Sequence, residues 1–405
     1  MMKRTIILFT SLIILLLSFS ICGAGCGAAI ESPSSIFGFD DESAEETSFS
    51  DLPPEFDVIA EAWHMLSEEH IDKDNLDAKA LSEGAVKGMM EALDDPYSYY
   101  VTSEAYRLEK NYIKGKYQGI GAHVGIRDGQ LTIIAPIAGS PAEKAGIKAQ
   151  DIILEVNGEL TSKMSLVESV LKIQGPEGTP VNLLVFHKGE SEPVEIVVIR
   201  KEIKLETVIW KMHGNVAYIR ITEFTASTGN DFRAALEDVL SNGASGIVLD
   251  LRNNPGGLLS AAIDVTSQFL SSGIVVEVVD SQGGHRQLSV NPGGVATDLP
   301  LIVLVNSGSA SGSEIVAGAL QDHGRAEIAG SQTFGKGSVQ TIRNLKDDSA
   351  VHLTMARWFT PSGRPIDSVG LEPDFVLDME GDDLIIWAIE RLDSQISAGC
   401  LPARV

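Results

Sequence analysis

The chain has 405 residues, 44% of them hydrophobic and 21% charged, enough for a buried core and several domains, so wholesale disorder is excluded. With 56 acidic residues against 31 basic ones the formal net charge is −25, a field that repels nucleic-acid phosphates and excludes nucleic acid as a partner. The three cysteines, Cys22, Cys26 and Cys400, lie near the two ends, so the body of the chain has no disulfide framework and no CxxC metal pair. The eight histidines include no HExxH, and neither a metal nor an organic cofactor is expected.

The first 30 residues have the order of a secretory signal or anchor: Lys3 and Arg4, an apolar run over Thr5–Ile21, then small residues from Gly23 to Ala29. The apolar run is short for a membrane span. Gly23-Ala24-Gly25-Cys26 resembles a lipoprotein cleavage box, with Gly23 where leucine is usual. Lipidation at Cys26, simple cleavage and an uncleaved anchor all stay open. Export, to an extracytoplasmic, secreted or membrane-associated place, is the shared expectation. Residues 31–55 carry acids, serines and prolines with no Lys or Arg, the composition of a solvated tether.

From residue 56 to 114 the spacing predicts helices. Val58, Ile59, Ala62, Trp63 and Leu66 form one stripe, and Ala85, Val86, Met89, Met90 and Leu93 another. Asp94-Asp95-Pro96 ends the second. Over residues 115–201 the period changes to short β-rich runs (131–135, 152–156, 181–186, 194–199) separated by turns such as Asn157-Gly158, with one helical segment over 165–173. Residues 202–378 alternate strands (216–221, 246–251, 301–305) with helices (229–240, 259–270, 311–321), the pattern of an α/β domain. A C-terminal helix is expected over 382–396, within a tail spanning 379–405.

The β-rich stretch opens with Tyr117-Gln118-Gly119-Ile120-Gly121-Ala122. It continues with Ser140-Pro141-Ala142-Glu143-Lys144-Ala145-Gly146 and Asp151–Gly158 (DIILEVNG). Together these motifs resemble a PDZ domain of the bacterial protease-associated type. Glycines at 119 and 121 free the backbone N–H groups of Gly119, Ile120, Gly121 and Ala122 to hold a peptide carboxylate while a strand edge takes the peptide as an added strand. Alone, the two glycines would also fit a tight turn in a small barrel.

Two segments carry candidate chemistry. In Leu301–Asp322 an apolar strand runs through Asn306-Ser307-Gly308-Ser309-Ala310 into a helix that starts at Ser311, where free N–H groups and the dipole suit an oxyanion. In Thr333-Phe334-Gly335-Lys336-Gly337-Ser338 a lysine stands between two glycines, which suits close approach of backbone to another element. A buried lysine sheds its proton more easily and can act as base toward a serine. The bland alternatives are a capping box, Ser311-Gly312-Ser313-Glu314, and a solvent-facing lysine.

These two segments, with Gly246–Gly257 (GIVLDLRNNPGG), Leu353–Gly363 (LTMARWFTPSG) and Gly370-Leu371-Glu372-Pro373-Asp374, resemble the signature of the C-terminal processing peptidases, tail-specific proteases of the S41 serine peptidase family. The resemblance covers residues 56–378. It implies an α/β fold with a ClpP/crotonase-like protease core, an inserted β-rich PDZ domain and N-terminal helices. By the same resemblance Ser311 is the nucleophile, Lys336 the general base and Gln340 the residue that orients the lysine. The oxyanion donors would be the N–H groups of Gly312 and Gly257; family members usually have alanine where Gly312 stands. Asp250 and Arg252 are expected to support the active-site turn. The resemblance further implies protein substrates with free C-termini and a homodimer built from terminal helices. Alternatives from other classes are a non-catalytic, membrane-tethered PDZ scaffold and a small-ligand carrier on the same core.

Overall fold

The two N-terminal apolar stripes fold as helices α1 (Asp57–Glu69) and α2 (Ala78–Glu91), the second capped by Asp77, whose carboxylate accepts from the N–H of Lys79 (3.0 Å) and Ala80 (3.1 Å). The computed structural model describes residues 52–398 apart from 128, 138, 165 and 380, so the signal segment, the Cys26 box, Cys400 and nearly all of the acidic tether lie outside the described residues. The helical expectation up to residue 114 fails at Tyr99-Tyr100-Val101, an aromatic and β-branched run that forms strand β1. It pairs antiparallel with residues 350–352, and Tyr99 stacks on His352 with ring centroids 4.2 Å apart. Residues 52–102 and 340–354 thus make one compact unit, and the remaining described residues make the other.

The larger unit begins with α3 (Ser103–Ile113) and continues into the β-rich stretch: β2 (Lys116–Gly119), β3 (Ala122–Arg127), β4 (Gln130–Pro136), β5 (Ile152–Val156), β6 (Glu159–Leu160), α4 (Leu166–Ile173), β7 (Pro180–Phe186), β8 (Val194–Ile199) and β9 (Lys201–Lys204). An antiparallel sheet in the order β3-β4-β5-β7-β8 closes over a core that includes Ile133, Ile153, Val181 and Val185, while β2 pairs with β9 and joins the two ends. Arg200 donates to the carbonyls of Ile173 and Lys172, both at 2.8 Å, and so satisfies the C-terminal end of α4.

The rest of this unit is the expected α/β arrangement. Its elements are β10 (Val208–His213), β11 (Val216–Ile221), α5 (Thr228–Ser241), β12 (Gly246–Asp250), α6 (Leu259–Ser267), β13 (Ile274–Asp280), β14 (His285–Ser289), β15 (Leu301–Val305), α7 (Gly312–Asp322) and β16 (Glu327–Gly330). After them come β17 (Ser338–Asn344), β18 (Ala350–Phe359), β19 (Phe375–Val376) and α8 (Asp382–Ser397). The main sheet has the order β10-β11-β12-β15-β16-β19 and is parallel from β11 onward. Every residue of β12 and β15 is buried, as a sheet covered on both faces requires. One face, Val216, Val248, Ile302 and Leu304, packs against Leu384, Ala388 and Leu392 of α8. The apolar stripe of α8, expected at a dimer contact, is therefore largely covered by the chain's own sheet. Among the described residues no helix is long and apolar enough to cross a membrane.

Candidate active site

Strand β15 ends at Val305, and residues 306–310 carry the chain over the sheet edge to Ser311. This turn is fastened to the segment that follows β12. Ser309 Oγ donates to the Leu251 carbonyl (2.8 Å), and the Asn254 carbonyl accepts from Ala310 N–H (3.0 Å) and Ser313 Oγ (2.9 Å). Asn254, fully buried, spends its side chain on the same task, donating to the Ile221 carbonyl (2.9 Å) and accepting from Gly256 N–H (2.9 Å). The two turns being locked together, Ser311 is held at φ 51°, ψ −111°, backbone angles that cost a serine on the order of 1–3 kcal/mol. Its side chain sits at the N-terminus of α7, 5% exposed.

The lysine loop comes alongside. Lys336 is 2% exposed. The flanking glycines are there for the reason the sequence suggests: a Cβ at Gly335 would lie 2.9 Å from the Gly370 amide nitrogen, and one at Gly337 only 2.4 Å from that of Asp367. Trp358 seals the loop from behind, its indole N–H donating to the Lys336 carbonyl (3.0 Å) and its own amide to the Gly337 carbonyl (2.9 Å).

Glu314 joins the two loops, and sequence reasoning treated it only as half of a capping box. Its carboxylate is fully buried. Oε2 accepts from the N–H of Ser311 (2.8 Å), which is the capping contact, and also from the N–H of Lys336 (2.9 Å). Oε1 accepts from Gly335 N–H (2.7 Å) and Thr333 Oγ1 (2.5 Å). Burial pushes this carboxyl above the ordinary glutamate range, and the four donors pull it back in part. One carboxylate thus gathers the backbones of Ser311 and Lys336; the S-x-x-E spacing was the only signal of it.

Of the expected oxyanion donors, Gly312 opens α7, where N–H groups lack intrahelical partners. A Cβ there would press on the Phe224 ring at 3.1 Å, a local reason for glycine at this position. At the Gly pair, Gly256 gives its N–H to Asn254, whereas no hydrogen bond of the Gly257 N–H is present among the described residues. Gly256 lies against the Ser311 turn, since a Cβ on it would meet both Gly312 N and Ser311 Cβ at 2.8 Å. Asp250 and Arg252 form a forked ion pair, Arg252 Nε to Oδ1 at 2.9 Å and Nη2 to Oδ2 at 2.7 Å, beside this turn. Gln340 is buried on β17, four residues beyond Lys336, and falls in the smaller compact unit.

In the β-rich module, Gly119 ends β2 and Ala122 begins β3, an edge strand of its sheet that contacts α4. Gly121 has φ 75°, and a Cβ would strike Ser140 Cβ at 2.5 Å. The Ile120 side chain lies in the module's core, so any part it takes in peptide binding falls to its backbone.

Comparison with known proteins places this architecture. Peptidase family S41 matches residues 215–377, a PDZ domain matches 132–185, and the N-terminal domain of the activating protease CtpB matches 30–105. A carboxy-terminal-processing protease of Bartonella bacilliformis is 41% identical over 310 residues, 75% of this chain and 70% of that one. Carboxy-terminal processing protease CtpA of Bacillus subtilis is 38% identical over 78% of this chain and 68% of its own length. Among solved structures, a photosystem II D1 C-terminal processing protease is 30% identical, covers 81% of this chain and 94% of its own, and superposes with a TM-score of 0.50. A serine peptidase core with a PDZ domain and N-terminal helices is the class so defined. The chain belongs to the carboxy-terminal-processing proteases of peptidase family S41.

Proposed function

We propose that the chain is an exported endopeptidase in which Ser311 attacks the scissile carbonyl and Lys336 takes its proton. The observation that supports this reading is the convergence of the Ser311 and Lys336 amides on one oxygen of Glu314, with Ser311 at a helix N-terminus and Lys336 withdrawn from solvent. Burial penalises the ammonium form and favours an amine that can accept a proton. The N–H groups of Gly312 and Gly257 would hold the tetrahedral oxyanion, Gln340 would orient the lysine, and water would release the acyl-enzyme. The substrate's C-terminal carboxylate would dock at Gly119–Ala122 with its tail added to the edge of β3. Exposed Val58, Trp63, Leu81 and Met89 of α1 and α2 favour a homodimer through these helices, and the first 30 residues a membrane tether or a signal.

Hydrolysis of an unstructured protein by the parent, Ser311→Ala and Lys336→Ala, followed across pH, tests the dyad. Each variant should lose at least ~10³-fold in rate, and parent activity should rise with pH as the lysine sheds its proton. A Ser311→Ala enzyme as fast as the parent would remove the mechanism. Peptides with free and amidated C-termini test tail reading separately, because only carboxylate capture predicts slower cleavage after amidation.

A further inference from the structure

Along the face of the main sheet covered by α8, side chains alternate and every second residue faces the helix. Near the strand starts these are Val216, Val248 and Ile302; near the carboxyl ends they become Tyr218, Arg220, Asp250 and Asn306. Of these, Tyr218, Arg220 and Asn306 floor a cavity of about 500 Å³ outside the carboxyl edge of the parallel strands, where open α/β sheets take their ligands. Leu377, Asp378, Met379, Gly381 and Asp382, leading into α8, form its opposite wall.

Among the described residues Arg220 makes no ion pair with Asp378 or Asp382, the two acids of this cavity. Asp250 is fully engaged: Tyr218 donates its hydroxyl to Oδ2 (2.7 Å) and Arg252 grips both oxygens. Arg220 stands opposite Asp250 in the strand register, and among the described residues its buried Nε has no hydrogen-bond partner. A buried guanidinium nitrogen left unsatisfied costs stability unless a ligand meets it, and its planar fork matches a carboxylate. At the mouth, Asp378 and Asp382 are exposed acids, which oppose a multiply charged anion such as phosphate and favour a cationic group on the same molecule.

We propose that this cavity, which shares Asn306 and Ser307 with the turn leading to Ser311 but is lined by neither Ser311 nor Lys336, is a ligand site outside the PDZ module, and that it takes a zwitterion of amino-acid to short-peptide size. The ligand's carboxylate pairs with Arg220 and its ammonium faces Asp378 and Asp382. The site does not depend on the dyad, so its test is one of binding. The full chain carrying Ser311→Ala, which spares the peptide from hydrolysis, is titrated calorimetrically with trialanine, N-acetyl-trialanine and trialanine amide. Trialanine binds, and blocking either end weakens binding about tenfold or more, the scale of one lost charge-assisted contact. Arg220→Met weakens trialanine binding by a similar factor. The end-blocked peptides probe the protein with its cavity unaltered, so a poorly folding Arg220 variant does not decide the matter. Binding that ignores N-acetylation, or that survives Arg220→Met, belongs to the PDZ groove or the protease cleft and overturns the proposal, as does the absence of binding at about 10 mM trialanine.

Discussion

At the scale of single residues, Glu314 shows how a bland reading and a functional one can both hold. The carboxylate does cap α7, and through the same oxygen it holds the lysine loop. Glutamine in its place keeps the shape but, whichever way its amide is turned, presents an NH₂ group to at least one N–H donor that had an oxygen, either Gly335 or both Ser311 and Lys336, in a buried site. Glu314→Gln should therefore lose about 2–4 kcal/mol of unfolding free energy, measured by urea titration. Its kcat should fall about 100-fold or more with little change in KM, because the register of the two loops is disturbed and substrate docking is not. A variant with parent stability and parent kcat would show that the four hydrogen bonds do nothing for either.

Among elements, glycines separate into those that close contacts and those that merely sit in helices. Gly337→Ala puts a methyl 2.4 Å from the Asp367 amide nitrogen, a backbone atom that cannot turn aside, and should destabilise by about 3 kcal/mol and abolish proteolysis. Gly84, inside α2 with nothing within 4 Å of its missing Cβ, should behave oppositely. Gly84→Ala should raise stability by about 0.5–1 kcal/mol, read as a shift in the unfolding midpoint of the parent. The strand β15, Leu-Ile-Val-Leu-Val, and the turn–helix junction after it could be read from the chain because their signals are local: a fully apolar run, then small residues, then a cap. β1 could not, since Tyr99-Tyr100-Val101 becomes a strand only by pairing with residues some 250 positions later. Nor could Glu314's grip on the lysine loop or the cavity of Arg220, which arise from residues brought together by the crossing of separate strands. The two flanking glycines of Lys336 announced a close approach, but not that residues 367–370 would make it.

For the molecule as a whole, the junction where α3 leads into the β-rich module makes stability depend on pH near neutrality. Tyr112, next to last in α3, donates its hydroxyl to Glu223 Oε2 at 2.6 Å, just beyond the end of β11. Burial pushes the Glu223 carboxyl from its ordinary 4.5 up to about 7, with the Tyr112 bond opposing the shift in part. A carboxyl that holds its proton more tightly folded than unfolded favours the folded state fully at pH below about 4.5. That contribution is lost as pH rises to about 7 and stays lost above it. The thermal midpoint should accordingly fall between pH 5 and 7 from this group. Glu223→Gln keeps the neutral form at all pH, so it should flatten that fall and unfold later than the parent at pH 8, by at most about 3 kcal/mol. At pH 5, where Glu223 is itself largely protonated, the two proteins should melt alike. Tyr112→Phe should act in the other direction, costing about 1–3 kcal/mol at pH 8 because it strips the buried carboxylate of its donor, and less at pH 5 where that charge is gone. Parallel melting curves for parent and Glu223→Gln across this range would mean that Glu223 titrates at its ordinary value, and that the junction carries no proton-linked stability.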